Sequence, residues 1–398
     1  MTEDFDIVVS GGGIAGLTAA AAFGSAGFSV LCVDPAAPVT DGEATGADMR
    51  STALLQPARQ VLEAAGLWQA LAPEAAPLQV MRIIDAGGED GRARVVREFD
   101  AADISDQPFG WNFPNWLLRR VLVARLGELD TVRFRPGVGA AGLLARTTEA
   151  RVTLDDGSRI RTRLVVAADG RDSPMRQAAG IPVSTRRYGQ KALAFAVTHP
   201  IPHNDVSTEV HRTGGPFTLV PLPDRGGMPC SAVVWMDDGP EQVRRSKLDP
   251  AAFEAEMTDR SSHIFGPLTL ASPRALWPII SQQAARMSGE RVALIAEAAH
   301  VLPPIGAQGL NLSLADLATL LELAQSDRID PGNVTLLETY HSKRHPQVSL
   351  RIQGIDLLNR ASQASSPLAR DARALGLDAL YSMAPVRRLL MQMGLGLR

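Results

Sequence analysis

Short apolar runs that end in a glycine or an acid recur along this chain. Phe5-Asp6-Ile7-Val8-Val9-Ser10 is a β-rich run that enters Gly11-Gly12-Gly13-Ile14-Ala15-Gly16 and is followed by Leu17-Thr18-Ala19-Ala20-Ala21-Ala22-Phe23. The order predicts strand, tight turn, helix. A second run, Ser29-Val30-Leu31-Cys32-Val33, ends at Asp34 and completes a βαβ unit. Leu164-Val165-Val166-Ala167-Ala168 leads in the same way to Asp169-Gly170, and Arg291-Val292-Ala293-Leu294-Ile295 leads to Ala296-Glu297. Between these lie strand-like runs at 80–84, 192–197 and 231–235, with turns at Gly87-Gly88, Gly214-Gly215 and Gly226-Gly227. They predict an antiparallel sheet. From about residue 346 the pattern is helical, polar at first, and it ends in the basic and apolar mixture Val386-Arg387-Arg388-Leu389-Leu390-Met391-Gln392-Met393. Such a helix suits either a membrane interface or packing on the protein or a sister subunit.

The glycine turn carries the first chemistry. In a strand–turn–helix setting one glycine allows the tight turn, one lets the backbone approach a pyrophosphate, and one lets helix and strand pack closely. The phosphates then sit at a helix N-terminus, whose free N–H groups and positive dipole end favour an anion. Asp34, at the end of the second strand, is placed to accept hydrogen bonds from an adenosine ribose. Gly11, Gly13, Ile14, Ala15, Gly16 and Asp34 are therefore candidate dinucleotide-binding residues. The motif does not by itself separate FAD from NAD, and its position at the amino terminus favours FAD only modestly.

Two later segments narrow the choice. Strands of such sheets deliver ligands at their carboxyl ends, so Asp169 and Gly170 are expected beside the cofactor; a turn that merely satisfies its own backbone is the alternative. Beyond Glu297 the chain runs through His300, Pro303-Pro304-Ile305-Gly306-Ala307-Gln308-Gly309-Leu310-Asn311, a stiffened loop expected to open a helix at about Asn311. Free N–H groups there could stabilise negative charge on a flat ring as it takes up a hydride.

Composition excludes several classes. Forty Lys and Arg against 43 Asp and Glu in 398 residues leave a formal charge of −3, with no footprint for nucleic acid. Cys32 and Cys230 are too few for a disulfide framework, which with the absence of a secretory pattern predicts a reduced, cytoplasmic setting. Every long apolar stretch is interrupted by Gly, Pro or charge, so any membrane contact is expected to be peripheral, on the inner face of the cell membrane. His341 and His345 are four apart but lack a third ligand, so no metal is expected. His300 is read either as a substrate or flavin contact or as a core histidine bonded to backbone, and Trp277-Pro278 as packing.

Taken together, the three segments resemble the class A flavoprotein aromatic hydroxylases, and more closely the ubiquinone-biosynthesis hydroxylases of the 2-octaprenyl-6-methoxyphenol hydroxylase type. The likeness covers most of the chain. Asp48-Met49-Arg50-Ser51-Thr52-Ala53-Leu54 is similar to that family's Arg-containing segment near the flavin, and Phe109-Gly110-Trp111-Asn112-Phe113-Pro114-Asn115-Trp116-Leu117-Leu118-Arg119 to its segment reaching the ribityl and diphosphate region. Tyr188-Gly189-Gln190-Lys191-Ala192-Leu193 and Gly214-Gly215-Pro216-Phe217-Thr218-Leu219-Val220-Pro221-Leu222 look like its substrate-lobe strands.

The resemblance implies an α/β fold with a Rossmann-like FAD lobe on a mixed sheet (1–75, 100–180, 281–345), an antiparallel substrate lobe (76–99, 181–280) and a C-terminal helical region (346–398). It implies FAD held by the glycine turn, Asp34, Arg50, Asn115, Arg119 and Asp169-Gly170, with Glu297 on the ribityl chain and Pro304, Gly306, Gly309, Leu310 and Asn311 along the ring. Gln190, Pro216, Phe217 and Pro221 become candidate substrate contacts. The implied reaction is hydroxylation of a polyprenylated phenol: NAD(P)H or another donor reduces FAD, O₂ adds to give a flavin hydroperoxide, and its distal oxygen passes to the ring. Other ubiquinone-biosynthesis proteins are implied partners. One departure stands out: where the broad class usually has Gly-Asp, this chain has Ala296-Glu297, so the backbone must find room for a methyl group.

Overall fold

The structure, a computed structural model, describes residues 2–87, 93–363 and 381–396. The expected turn at Gly87-Gly88 and part of the expected C-terminal helical region lie outside the described residues. The mixed α/β architecture expected from the sequence is present.

Buried apolar runs such as Ile7-Val8-Val9 and Val30-Leu31-Cys32-Val33 have no polar face, the mark of parallel strands covered on both sides. They build the first sheet, ordered Ser288–Gly289, Val292–Leu294, Arg159–Ala167, Thr2–Ser10, Val30–Asp34, Val132–Pro136. The last five run parallel, and Ala150–Leu154 and Ala140–Ala145 extend it antiparallel from Arg159–Ala167. Because the strands are parallel, their carboxyl ends share one edge. Gly11, Asp34, Asp169 and Glu297 all follow such ends, so sequence positions almost 300 residues apart meet on that edge. The alanine-rich helix Ile14–Ser25 is buried along nearly its whole length and packs against Asn115–Glu128.

The second sheet is ordered His300–Val301, Ala275–Ala284, Val183–Thr198, Met228–Asp238, Pro216–Arg225, Val206–His211, Val80–Asp85, Val95–Asp100. It is antiparallel except that Val80–Asp85 runs parallel to Val206–His211. That exception corrects the wholly antiparallel expectation; a pair separated by a long excursion through the first lobe is free of the hairpin's constraint. The expected boundary at 281 falls inside the strand Ala275–Ala284.

One face of this sheet is covered by Gly239–Ser246 and Pro250–Arg260, over a core that includes Leu193, Phe195, Phe217, Leu219, Trp235 and Phe253. On its other face Ala192 and Met236 pack with Ile279, Ile305 and Ile355. A small three-stranded sheet, Ser51–Leu55, Gly110–Pro114 and Ala76–Pro77, completes the strand structure. The helix Val334–Ser362 fastens both sheets: the Tyr340 hydroxyl donates to Leu294 O at 2.8 Å, and Asn359 donates to Gln190 at 2.9 Å. No described helix is long and apolar enough to cross a membrane.

Candidate functional site

The glycine turn is built as its spacing implies. Gly11 has φ +115°, and a Cβ there would meet Ala168 O at 2.3 Å; one on Gly16 would meet Gly11 O at 1.9 Å. These two positions admit only glycine. Gly13 differs, since it is exposed and a Cβ there would meet nothing within 4 Å. It is the N-cap of Ile14–Ser25 and offers no side chain to the free N–H groups of that helix. Ile14 is half-buried and Ala15 buried at its first turn. Asp34 accepts from Gly12 N at 2.5 Å and from Ala36 N at 2.8 Å, which fixes the carboxylate beside the turn with lone pairs to spare.

Arg50, Asn115 and Arg119, expected near the cofactor from separate segments, meet at Asp48. Its carboxylate accepts from Arg50 Nε at 2.8 Å and Nη2 at 2.7 Å, from Asn115 Nδ2 at 3.1 Å and from Arg119 Nη2 at 3.3 Å. Burial pushes the Asp48 carboxyl up, but the Arg50 guanidinium, with Asn115 and Arg119, outweighs it and holds the group below the ordinary range. Arg50 also lies over the Trp277 ring at 4.5 Å. Trp277 is 40% exposed, and its packing partner is the Arg50 guanidinium, a cation–π contact beside the site. Asp48 lay inside the quoted segment yet was missed as a site residue; a carboxylate two positions before an arginine is the signal that could have found it.

Asp169 accepts from Met175 N at 3.1 Å, from Ser10 Oγ at 3.2 Å and from Ser173 Oγ. Burial raises its pKa, and these donors offset the rise only in part. Its carboxylate thus locks the turn after its strand to the end of Thr2–Ser10, while Gly170 faces open space.

Glu297 lies on the same edge, its side chain 55% exposed and 3.8 Å from Arg171. The preceding Ala296 has φ +56°. A left-handed conformation costs an L-residue about 1–2 kcal/mol, which explains why glycine suits this position. Ala296→Gly should therefore stabilise the protein by about 0.5–1 kcal/mol once the entropy gained by the unfolded chain is subtracted, read as a higher urea midpoint.

The ring loop follows. Pro304, Gly306 and Gly309 are exposed while Ile305 and Gln308 are buried. The helix begins at Gln308, three residues before the expected start, because Ala307 adopts φ +56° as its N-cap; no side chain caps the helix. Leu310 packs on the first core. Asn311 donates to Ala53 O at 2.7 Å and accepts from Leu55 N at 2.8 Å, tying this loop to the strand after Arg50.

The expected substrate contacts divide. Gln190 is buried, donates to Gly214 O at 2.6 Å, and accepts from Asn359 and Gln363 at 2.9 and 2.8 Å. Its side chain holds the second sheet to the long helix. Phe217 is fully buried on the helix-covered face, ring to ring with Trp235 at 5.3 Å. That corrects its expected role, because strand alternation turns Phe217 away from the first lobe and presents Pro216, Thr218 and Val220 instead. Pro221 shares the Phe217 parity, and its carbonyl accepts from Asn112 Nδ2 at 2.8 Å. His300 is bonded to the Asp316 side chain at 2.6 Å instead of to backbone. His341 accepts from Met287 N at 3.2 Å, and among the described residues no group of three or more potential ligands could hold a metal.

Comparisons with known proteins give the family. Residues 4–353 match the family described as FAD binding domain. The chain therefore belongs to that family, and it is an FAD-dependent monooxygenase of the class A aromatic-hydroxylase type. It stands among relatives of the ubiquinone hydroxylases. Ubiquinone hydroxylase UbiL of Rhodospirillum rubrum is 33% identical over 98% of this chain and 89% of its own. The 3-demethoxyubiquinol 3-hydroxylase of Escherichia coli is 26% identical over 98% of each chain. Among solved structures, p-nitrophenol 4-monooxygenase PnpA from Pseudomonas putida superposes with a TM-score of 0.80 over 99% of each chain at 20% identity, a likeness of fold.

The residues present fit FAD. The open face at Gly13 leaves room where a phosphate would approach uncapped N–H groups. The exposed carboxylate of Glu297 suits ribityl hydroxyls, and the uncapped start of Gln308–Ser326 suits a ring that gains negative charge.

Proposed function

We propose that this protein hydroxylates the aromatic ring of a polyprenylated phenol in ubiquinone biosynthesis. The observation that carries the reading is the apolar seam at which Ile305, from the ring loop, packs with Ala192, Met236 and Ile279 of the second sheet and Ile355 of the long helix. The loop meant to present a redox ring is thus embedded among buried aliphatic side chains, dry apolar surroundings that suit a prenylated phenol. The names carried by the relatives point the same way.

When bound, FAD would supply the redox chemistry, with NAD(P)H or another donor as the electron source and O₂ as the source of the transferred oxygen. The chain's own residues do the rest. The turn at 11–16 and the Arg50–Asp48–Arg119 cluster would hold the diphosphate side, Asp34 the ribose, and Glu297 the ribityl chain. The uncapped N–H groups at Gln308 and Gly309 would stabilise negative charge developing on the ring. Ile305, Met236 and Ile279 keep water from the transfer step.

Peripheral membrane contact at the cytoplasmic face is part of the reading. Leu350 and Leu357 on the long helix, and Leu389, Leu390 and Met393 on Ala384–Leu395, are exposed. Arg351 Nη1 donates to Met393 O at 3.0 Å, so the two helices adjoin. Oxygen uptake should be faster with short-chain prenylphenols than with simple phenols, and product formed under ¹⁸O₂ should carry the label. Equal rates would favour a soluble aromatic substrate; unlabelled product would indicate a reductase.

A further inference from the structure

The most deeply buried charged group near the ring loop belongs to a side chain without a function so far. Asp316, on the helix Gln308–Ser326, is 0% exposed. Its Oδ2 lies 2.6 Å from His300 Nε2, and its Oδ1 accepts from Arg344 Nε at 2.7 Å. Arg344 also donates to Gln347 and, through Nη2 at 3.4 Å, to Leu312 O. A carboxylate wholly removed from water is strongly unfavourable unless each oxygen is matched. Here the two partners come from either side of the loop: His300 from the short strand before it and Arg344 from the long helix behind it.

His300 starts the strand His300–Val301, paired with Gln282 and Gln283 of the second sheet. From there the chain passes through residues 302–307 into the helix that carries Asp316. The His300–Asp316 bond therefore joins the two ends of the ring loop at its base. The bond fixes a hydrogen on Nε2, and Nδ1 is buried without a partner among the described residues. Asp316 is thus the imidazole's single polar tie among the described residues, and a ring placed for packing alone would be better served by an apolar side chain.

Resting on the function proposed above, we infer that Asp316 is the positioning residue of the flavin-ring loop. Through His300 it holds the strand that enters the loop, and through its own helix it holds the turn that leaves it. Both flanks then move as one body. Neither residue needs to touch the flavin.

The test compares His300→Leu, His300→Gln and Asp316→Asn with the parent. The readouts are FAD affinity from quenching of flavin fluorescence, the fine structure of the bound flavin's visible band, and melting of the apo-protein. Loss of a supporting contact one step from a ligand weakens metal sites by about ten-fold to a hundred-fold, and the same order is expected here. His300→Leu should weaken FAD binding by about ten-fold or more and alter the visible band. His300→Gln, whose amide can still donate to Asp316, should restore most of both. A lower melting temperature with unchanged affinity and spectrum would reduce the triad to core support and overturn the proposal. If His300→Leu does not fold, Asp316→Asn, which keeps the side chain's volume, is judged by the same two outcomes. A parent that binds no FAD overturns the function reading itself, a result distinct from any difference between parent and variants.

Discussion

Gly13→Asp should abolish FAD binding and leave the fold of the apo-protein at least as stable as before. The two halves of that result have separate causes. A Cβ at Gly13 meets nothing within 4 Å, and the backbone there, φ −71° and ψ 173°, is one any residue adopts. Asp is also a better N-cap than Gly by a few tenths of a kcal/mol, because its carboxylate accepts from the free N–H groups of Ile14–Ser25. Those N–H groups are the ones a pyrophosphate needs, and a carboxylate among them both occupies the donors and repels the phosphate charge. Gly16→Ala is the contrasting change: its Cβ would stand 1.9 Å from Gly11 O, so the turn itself must deform. Fluorescence titration with FAD and thermal melting of each apo-protein distinguish the cases. Retained FAD affinity in Gly13→Asp would mean that the turn does not hold the cofactor's diphosphate.

What was legible in the sequence was mostly what strands do at their ends. An apolar run that stops at an acid marks a carboxyl edge, and parallel pairing brings all such edges together, so Asp34, Asp169 and Glu297 could be grouped without knowing the strand order. Faces were harder. Pro216–Arg225 carries apolar residues on both sides, Phe217 and Leu219 on one and Val220 and Leu222 on the other. Period-two alternation then says nothing about which side meets the cofactor lobe. Partners distant in sequence were not legible at all: Gln190 reads as a polar residue in a strand, yet its role is set by Asn359 and Gln363. The helix start at Gln308 was missed because the left-handed residue before it is an alanine, which gives no turn signal. The parallel pairing of Val80–Asp85 was hidden for a related reason, since periodicity describes a strand and not its neighbour.

The Asp48 cluster combines both limits, for Arg50, Asn115 and Arg119 are visible in two segments while their meeting at Asp48 is not. Asp48→Asn should cost the apo-protein about 2 kcal/mol at neutral pH, discounted from the cost of breaking a buried pair because Arg50 remains 39% exposed. The amide keeps one accepting oxygen and turns an N–H₂ toward the guanidinium groups, so Arg50 loses its two-pronged grip and Arg119 its ion pair at 3.3 Å. The loss should depend on pH in one direction. Despite the opposing effect of burial, Arg50, Asn115 and Arg119 hold the Asp48 pKa below its unfolded value. Its stabilisation is therefore complete above the unfolded pKa, about 4, and fades as pH falls through the lower folded value. Parent and variant should differ most in urea unfolding near pH 7 and converge as the pH falls below the unfolded pKa and through the lower folded one. FAD affinity should fall as well, since two cations expected at the diphosphate are no longer aimed. A difference in stability that stays constant across that range would assign the effect to shape and remove the charge of Asp48 from the account of how this site is held.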